Sequence, residues 1–144
     1  MPGENVKKSK GDLMFDAETL LRQLAELGRQ LDQQVDRLGE LDMLATGLGC
    51  EWNRLREEHE DNLADAFVNG PDGGVEARKM MARLKCRPSR LIAQEASLEH
   101  EQAKSRLRTQ QAVVKAISTR IEIGRSLLST EKTRMDLDRL PARG

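Results

Sequence analysis

With 144 residues and 24 basic side chains against 24 acidic ones, the chain is sized for one domain and has no net field to draw it to nucleic acid or an anionic membrane. Aromatic residues make up 2% of it (Trp52, Phe15 and Phe67) and charged residues 33%, which excludes an aromatic-packed globular core and matches long helices or coiled coil. No apolar run reaches the roughly 18 residues of a membrane span, the polar N-terminal stretch has no secretory core, and two cysteines are too few for a disulfide framework, so no membrane association and a cytoplasmic location are expected.

Residues 1–12 show no periodicity and are expected to form a disordered polar tail. The first helical arm is predicted over residues 13–69. Leu24, Leu31, Leu38, Ala45 and Trp52 fall seven apart, and Leu20, Leu27, Leu41, Leu48 and Leu55 stand three or four residues from them. That is an a/d heptad seam, interrupted by Gln34 at a d position. Gly28, Gly39, Gly47 and Gly49 oppose the helix, each at about 1 kcal/mol relative to Ala. Leu41, Leu48 and Leu55 nevertheless hold their phase across Thr46–Cys50, which predicts a kink there and not a break.

Asn69-Gly70-Pro71-Asp72-Gly73-Gly74-Val75 joins glycine and proline between two periodic segments, so the turn is placed at residues 70–74 with Asp72 capping the helix that follows. The second arm is predicted over residues 75–140, kinked or broken near 87–88 because Pro88 lacks the N–H that a helix interior needs. Leu84, Leu91 and Leu98 repeat by seven. Leu107, Val114, Ile121, Leu128 and Met135 repeat by seven again, backed by Ala103 and Ile117, so the nine-residue step from Leu98 to Leu107 predicts a phase slip.

Folding the arms about Asp72 would set Arg83, Lys85 and Arg87 against Glu57, Glu58, Glu60 and Asp61. It would also bring Trp52 near Leu91 and Ile92, and Leu24 and Leu27 near Ile117 and Ile121. The expected fold is therefore all-α: a long antiparallel helical hairpin or coiled coil. Leu21, Leu44, Ile92, Ile123 and Leu127 lie off the main seam. They imply a second face to be covered by self-association into a dimer or higher bundle, or by a protein partner, with Leu21, Ile123 and Leu127 as the interaction residues.

Chemistry is sparse. Cys50, His59, Cys86 and His100 lack the paired spacing of a zinc site, neither histidine sits in a Glu-x-x-His motif, and Gly47-Leu48-Gly49 lacks the rest of a dinucleotide loop. No catalytic, cofactor or metal residue is assigned, and an enzyme is not expected. Arg78, Lys79, Arg83, Lys85, Arg87 and Arg90 form the one basic patch. Nucleic acid is the alternative partner it offers, disfavoured because the acidic run on the first arm would neutralise it and no aromatics stand by to stack bases.

Gly74-Val75-Glu76-Ala77-Arg78-Lys79 and Ile121-Glu122-Ile123-Gly124-Arg125-Ser126-Leu127-Leu128 resemble segments of small all-helical accessory proteins encoded by bacteriophages. That resemblance implies a phage protein acting in the host cytoplasm through protein contacts, and it carries no catalytic residues. The first functional reading is a non-enzymatic coiled-coil interaction module that binds or inhibits a host or defence complex. Its alternatives are a nucleic-acid-associated factor in phage replication, recombination or packaging, and a helical-hairpin stalk or chaperone of a secretion ATPase.

Overall fold

The leucine seam of the first arm builds one long helix. In the computed structural model, which describes residues 10–139, with side chains from residue 17 onward, α1 spans Lys10–Val68, 59 residues without interruption. It begins three residues ahead of the predicted boundary; the remainder of the expected tail, residues 1–9, lies outside the described residues. α1 continues through Thr46–Cys50 without a break. After the turn come α2 (Val75–Lys85) and α3 (Arg87–Asp138), and no strand occurs among the described residues.

The turn is closed by backbone chemistry. Asn69 N–H donates to the Asp65 carbonyl at 2.9 Å and ends α1. A Cβ on Gly70 would stand 2.9 Å from the Ala66 carbonyl oxygen, so the chain reverses there only with glycine. The residue before α2 is Gly74, in extended conformation and with no side-chain cap. Asp72, expected to cap this helix, sits two residues too early for its carboxylate to meet the first-turn amides. The break after α2 falls at Cys86, and Pro88 takes the second position of α3, where its missing N–H costs little. Helical bonding bridges the break: Cys86 N–H donates to the Ala82 carbonyl and Arg90 N–H to the Cys86 carbonyl, at 3.0 and 3.1 Å.

The chain packs as two compact units that α1 and α3 both enter, one of Arg37–Gln110 and one holding the described parts of Met1–Asp36 and Gln111–Gly144. In the Arg37–Gln110 unit, α2 and the start of α3 lie antiparallel to the end of α1. The predicted seam of α1 is the inward one, with Ala45 and Ala66 buried and Leu41, Leu48, Trp52 and Leu55 half-buried. Against it come Ala82, Cys86, Ala93, Ala96 and Ala103, all buried. Leu84, Leu91 and Leu98 are 63%, 49% and 65% exposed and point the other way. The inward positions 89, 96, 103, 110, 117 and 124 run in one unbroken heptad phase, so the phase slip inferred from the leucines is not there.

Pairing is also offset from the fold about Asp72. His59 meets Ser89 and Gly49 meets His100, pairs centred within a residue of Gly74. Trp52 consequently stacks on His100 instead of reaching Leu91 and Ile92. In this register small residues of α2 and α3 fit between the larger ones of α1. Nearest the turn, Ala66, Ala82 and Cys86 form a buried cluster flanked by Leu63 and Phe67.

In the other unit, Ile117 and Ile121 are the buried large side chains, with Val114 and Leu128 half-buried. Gly124 is buried too. A Cβ there would stand 2.5 Å from Cδ2 of Leu24, so Leu24 packs against Gly124, a pair centred on Gly74 and not on Asp72.

Two outcomes test this packing. Nothing lies within 4 Å of a Cβ added at Gly39, whereas one at Gly49 would come 2.9 Å from Nε2 of His100. Gly39→Ala should therefore stabilise the protein by about 1 kcal/mol in chemical denaturation, and Gly49→Ala should give less than that or a loss. Ile121→Asp should cost at least the roughly 2–5 kcal/mol of an Ile→Ala truncation, read as a fall in the thermal midpoint, because it puts an unpaired charge in the seam.

Candidate functional site

Side chains capable of chemistry gather in the Arg37–Gln110 unit. His59 on α1 and Ser89 in the first turn of α3 meet across the seam, with Nδ1 2.8 Å from Oγ, beside a groove of about 380 Å3 that Asn62, Asp65, Cys86 and Ser89 help to line. A serine next to an imidazole invites comparison with an activated nucleophile. Proton accounting argues against it here. The Ser89 hydroxyl donates to the Cys86 carbonyl at 2.9 Å, so Oγ faces His59 as an acceptor and Nδ1 supplies the proton. In that arrangement the imidazole cannot take the serine proton. The pair works as a strut, using Oγ to tie α1 to the Cys86 carbonyl at the α2–α3 break.

His100 is placed by packing. Its ring lies 5.7 Å from that of Trp52, the two planes 29° apart, and its edge fits into the space left by the missing side chain of Gly49. Nδ1 of His100 is buried without a hydrogen-bond partner. The Arg56 guanidinium also lies over the indole, 5.2 Å from the ring centroid. Cys50 is an exposed thiol and Cys86 a buried one, both free. No three or more His, Cys, Asp or Glu residues converge to hold a metal ion among the described residues.

The basic patch divides by what each residue does. Arg78 is spent on structure: its Nη2 donates to the carbonyls of Phe67 and Val68 at 2.9 and 3.1 Å, and its guanidinium lies 5.1 Å over the Phe67 ring. Those carbonyls end α1 and have no partner within the helix, so Arg78 acts as a C-terminal cap reaching back from α2. Lys79 stands 3.9 Å from Glu76 on its own helix. Arg83, Lys85, Arg87 and Arg90 are exposed and form no ion pair among the described residues. The expected pairing with the acidic run is not made. Ion pairs here run within single helices, such as Arg54 with Glu51 and Glu58 and Lys104 with Glu101. The hydrogen bonds from Arg54 and Lys104 hold the carboxyls of Glu51 and Glu101 below the usual carboxylate range.

The apolar residues assigned to interaction do not form one stripe. Ile123 and Leu127 stand four apart on α3, 56% and 55% exposed, and so share a helix face. Leu127 lines a groove of about 440 Å3 with Ala17, Leu20, Gln23 and Arg134. Leu21, also exposed, does not line that groove and belongs to the opposite flank of the α1 seam. A second groove of about 440 Å3, near the turn, is mostly apolar and is lined by Leu63, Ala64, Phe67 and Ala82 with Lys79 and Arg83 at its rim.

Sequence reasoning passed over the outward face of Leu84, Leu91 and Leu98. The signal lay in the alanines: Ala96 and Ala103 share a heptad position with Ile117, which already marked the inward phase and left the leucines outside. No helix among the described residues is long and apolar enough to cross a membrane.

If Arg78 is a cap, its planar fork matters more than its charge. Arg78→Lys should lose most of what Arg78→Ala loses, about 2 kcal/mol in chemical denaturation, since an ammonium replaces neither the geometry at two carbonyls nor the stacking on Phe67.

Compared with known proteins, the chain matches no family model, no curated protein and no solved structure.

Proposed function

We propose that the chain is a non-enzymatic helical interaction module that works through its outward apolar faces, as a homo-oligomer and with a protein partner. One observation carries this reading. The buried set is mostly alanine, while Leu21, Leu44, Leu84, Leu91, Ile92, Leu98, Ile123 and Leu127 are about half exposed or more. Apolar surface of this kind gains roughly 25 cal/mol per Å2 when a second helix covers it. Side chains that contribute little to the fold are then available to recognition. The resemblance of residues 74–79 and 121–128 to bacteriophage accessory proteins directs the partner search to a host or defence complex in the bacterial cytoplasm.

A second reading rests on Arg83, Lys85, Arg87 and Arg90, which are exposed and form no ion pair among the described residues; they suit a phosphate backbone as well as an acidic protein.

Affinity capture from bacterial lysate tests the first reading. Wild type, His59→Ala and His100→Ala should retain a common partner, and the combined Leu21→Glu, Ile123→Glu and Leu127→Glu variant should lose it while keeping its helical circular dichroism. Retention by the triple variant would count against the module. Duplex binding whose affinity falls steeply with salt, and falls further in Arg87→Glu, would favour nucleic acid.

A further inference from the structure

We propose that the outward face of Leu84, Leu91 and Leu98 is a homodimer interface, in which two copies of the chain lie antiparallel about a two-fold axis at Leu91. This rests on the module reading and adds its partner, orientation and register.

The face is continuous. Ala82, Cys86, Ser89, Ala93, Ala96 and His100 turn toward α1, which places the three leucines on the opposite side of the same helical pair. The backbone bonds from Cys86 to Ala82 and from Arg90 to Cys86 keep Leu84 in phase with Leu91 across the break. Seven residues of helix rise about 10.5 Å, so the stripe runs for about 21 Å with a leucine at each end and one at its middle.

Charge chooses the occupant. Between residues 77 and 90 the chain carries Arg78, Lys79, Arg83, Lys85, Arg87 and Arg90 and only Glu76 just before them; between 91 and 103 it carries Glu95, Glu99 and Glu101 and no lysine or arginine. The sign changes at Leu91. A parallel copy would set base on base and acid on acid. An antiparallel copy turned about Leu91 sets the Arg83–Arg90 half over the second copy's Glu95–Glu101 half, and Leu84 over its Leu98. The sequence is thus its own complement, the property an isologous two-fold contact demands. Glu60 and Asp65 of α1 line grooves with Arg83 and Lys85, yet no ion pair joins them among the described residues, so these basic side chains are available to a second copy's carboxylates.

The experiment uses the full chain. Sedimentation equilibrium at micromolar concentration should give a dimer that weakens as salt rises. Leu91→Glu should weaken it at least about tenfold with unchanged circular dichroism, because the substituted side chain is solvent-exposed within the chain itself. Orientation is read by disulfide trapping in a Cys50→Ser background. Leu91→Cys should link to itself, whereas Leu84→Cys should link to a Leu98→Cys chain and not to itself. A monomeric wild type, a dimer indifferent to Leu91→Glu, or self-linking of Leu84→Cys would each overturn the proposal. The module reading fails separately: a monomer that still captures its partner through Leu21, Ile123 and Leu127 overturns this interface and the homo-oligomer but leaves the partner binding standing, and a Leu91-centred dimer whose triple variant keeps every partner overturns the partner binding and leaves the interface.

Discussion

The packing depends on close approach between helices whose facing residues are unequal in size. In the Arg37–Gln110 unit, α2 and α3 present Ala82, Ala93, Ala96 and Ala103, while α1 presents Leu48, Trp52, Leu55 and Leu63. Glycine takes the principle to its limit: Gly49 admits the ring of His100, and in the other unit Gly124 admits Leu24. An alanine seam buries less apolar area per turn than a leucine seam, so each turn stabilises the pairing less. It sharpens register in exchange, since a slipped pairing would drive Trp52 or Leu24 into a side chain where the native one offers a gap. The leucines released from the inside are the ones that populate the outside.

The turn inherits its form from the same register. With pairs centred on Gly74, the last residues of α1 are level with Met80, and the first turn of α2 runs on past them. Arg78 is on that overhanging turn, which lets it reach the carbonyls of Phe67 and Val68 while its plane covers the Phe67 ring. An arginine in a basic cluster is thereby a structural part of the reversal. The break at Cys86 is similarly accommodated. The Cys86 carbonyl accepts from both Arg90 N–H and the Ser89 hydroxyl, and His59 holds that hydroxyl from α1.

Much of this could be read from residue order. The helix of the first arm followed from Leu20 to Leu55 at heptad spacing, even against Gly47 and Gly49, because phase survives a glycine that packing does not punish. The turn followed from Gly70 and Pro71. What could not be read was which of two heptad phases on the second arm faces inward. Leu84, Leu91 and Leu98 have the greater hydrophobicity, but in this chain the phase of Ala82, Ala96 and Ala103 is the one turned to α1. From the wrong phase followed the phase slip before Leu107, whereas the Asp72-centred register, and with it the contact of Trp52 with Ile92, came from placing the fold point at the middle of the turn. The expected ion pairs between Arg83–Arg87 and the acidic run failed for a related reason. Charges at the edge of such a seam are solvated, and a neighbour one turn away on the same helix, as Arg54 has in Glu51 and Glu58, costs less side-chain entropy to engage. As for the candidate site, the four residues weighed as metal ligands or catalysts were legible by type alone. Their use as strut, stacking partner and free thiols required the third dimension.

That division of labour bears on where a partner would act. His59, Ser89, Trp52 and His100 are engaged with each other or with the backbone, and perturbing them perturbs the pairing of α1 with α3. Leu84, Leu91 and Leu98 are under no such obligation. They stand on the side of α2 and α3 turned from α1, and they lie in a segment whose charge reverses midway. A helix surface needs hydrophobicity only where it is covered and charge segregation only where orientation matters. Glutamate or lysine at the three leucine positions would serve an isolated helix pair at least as well in helix propensity and better in solubility. Leucine at all three, in register with a sign change, is a pattern that folding alone does not ask for. It is the pattern on which the proposed contact with a second copy rests.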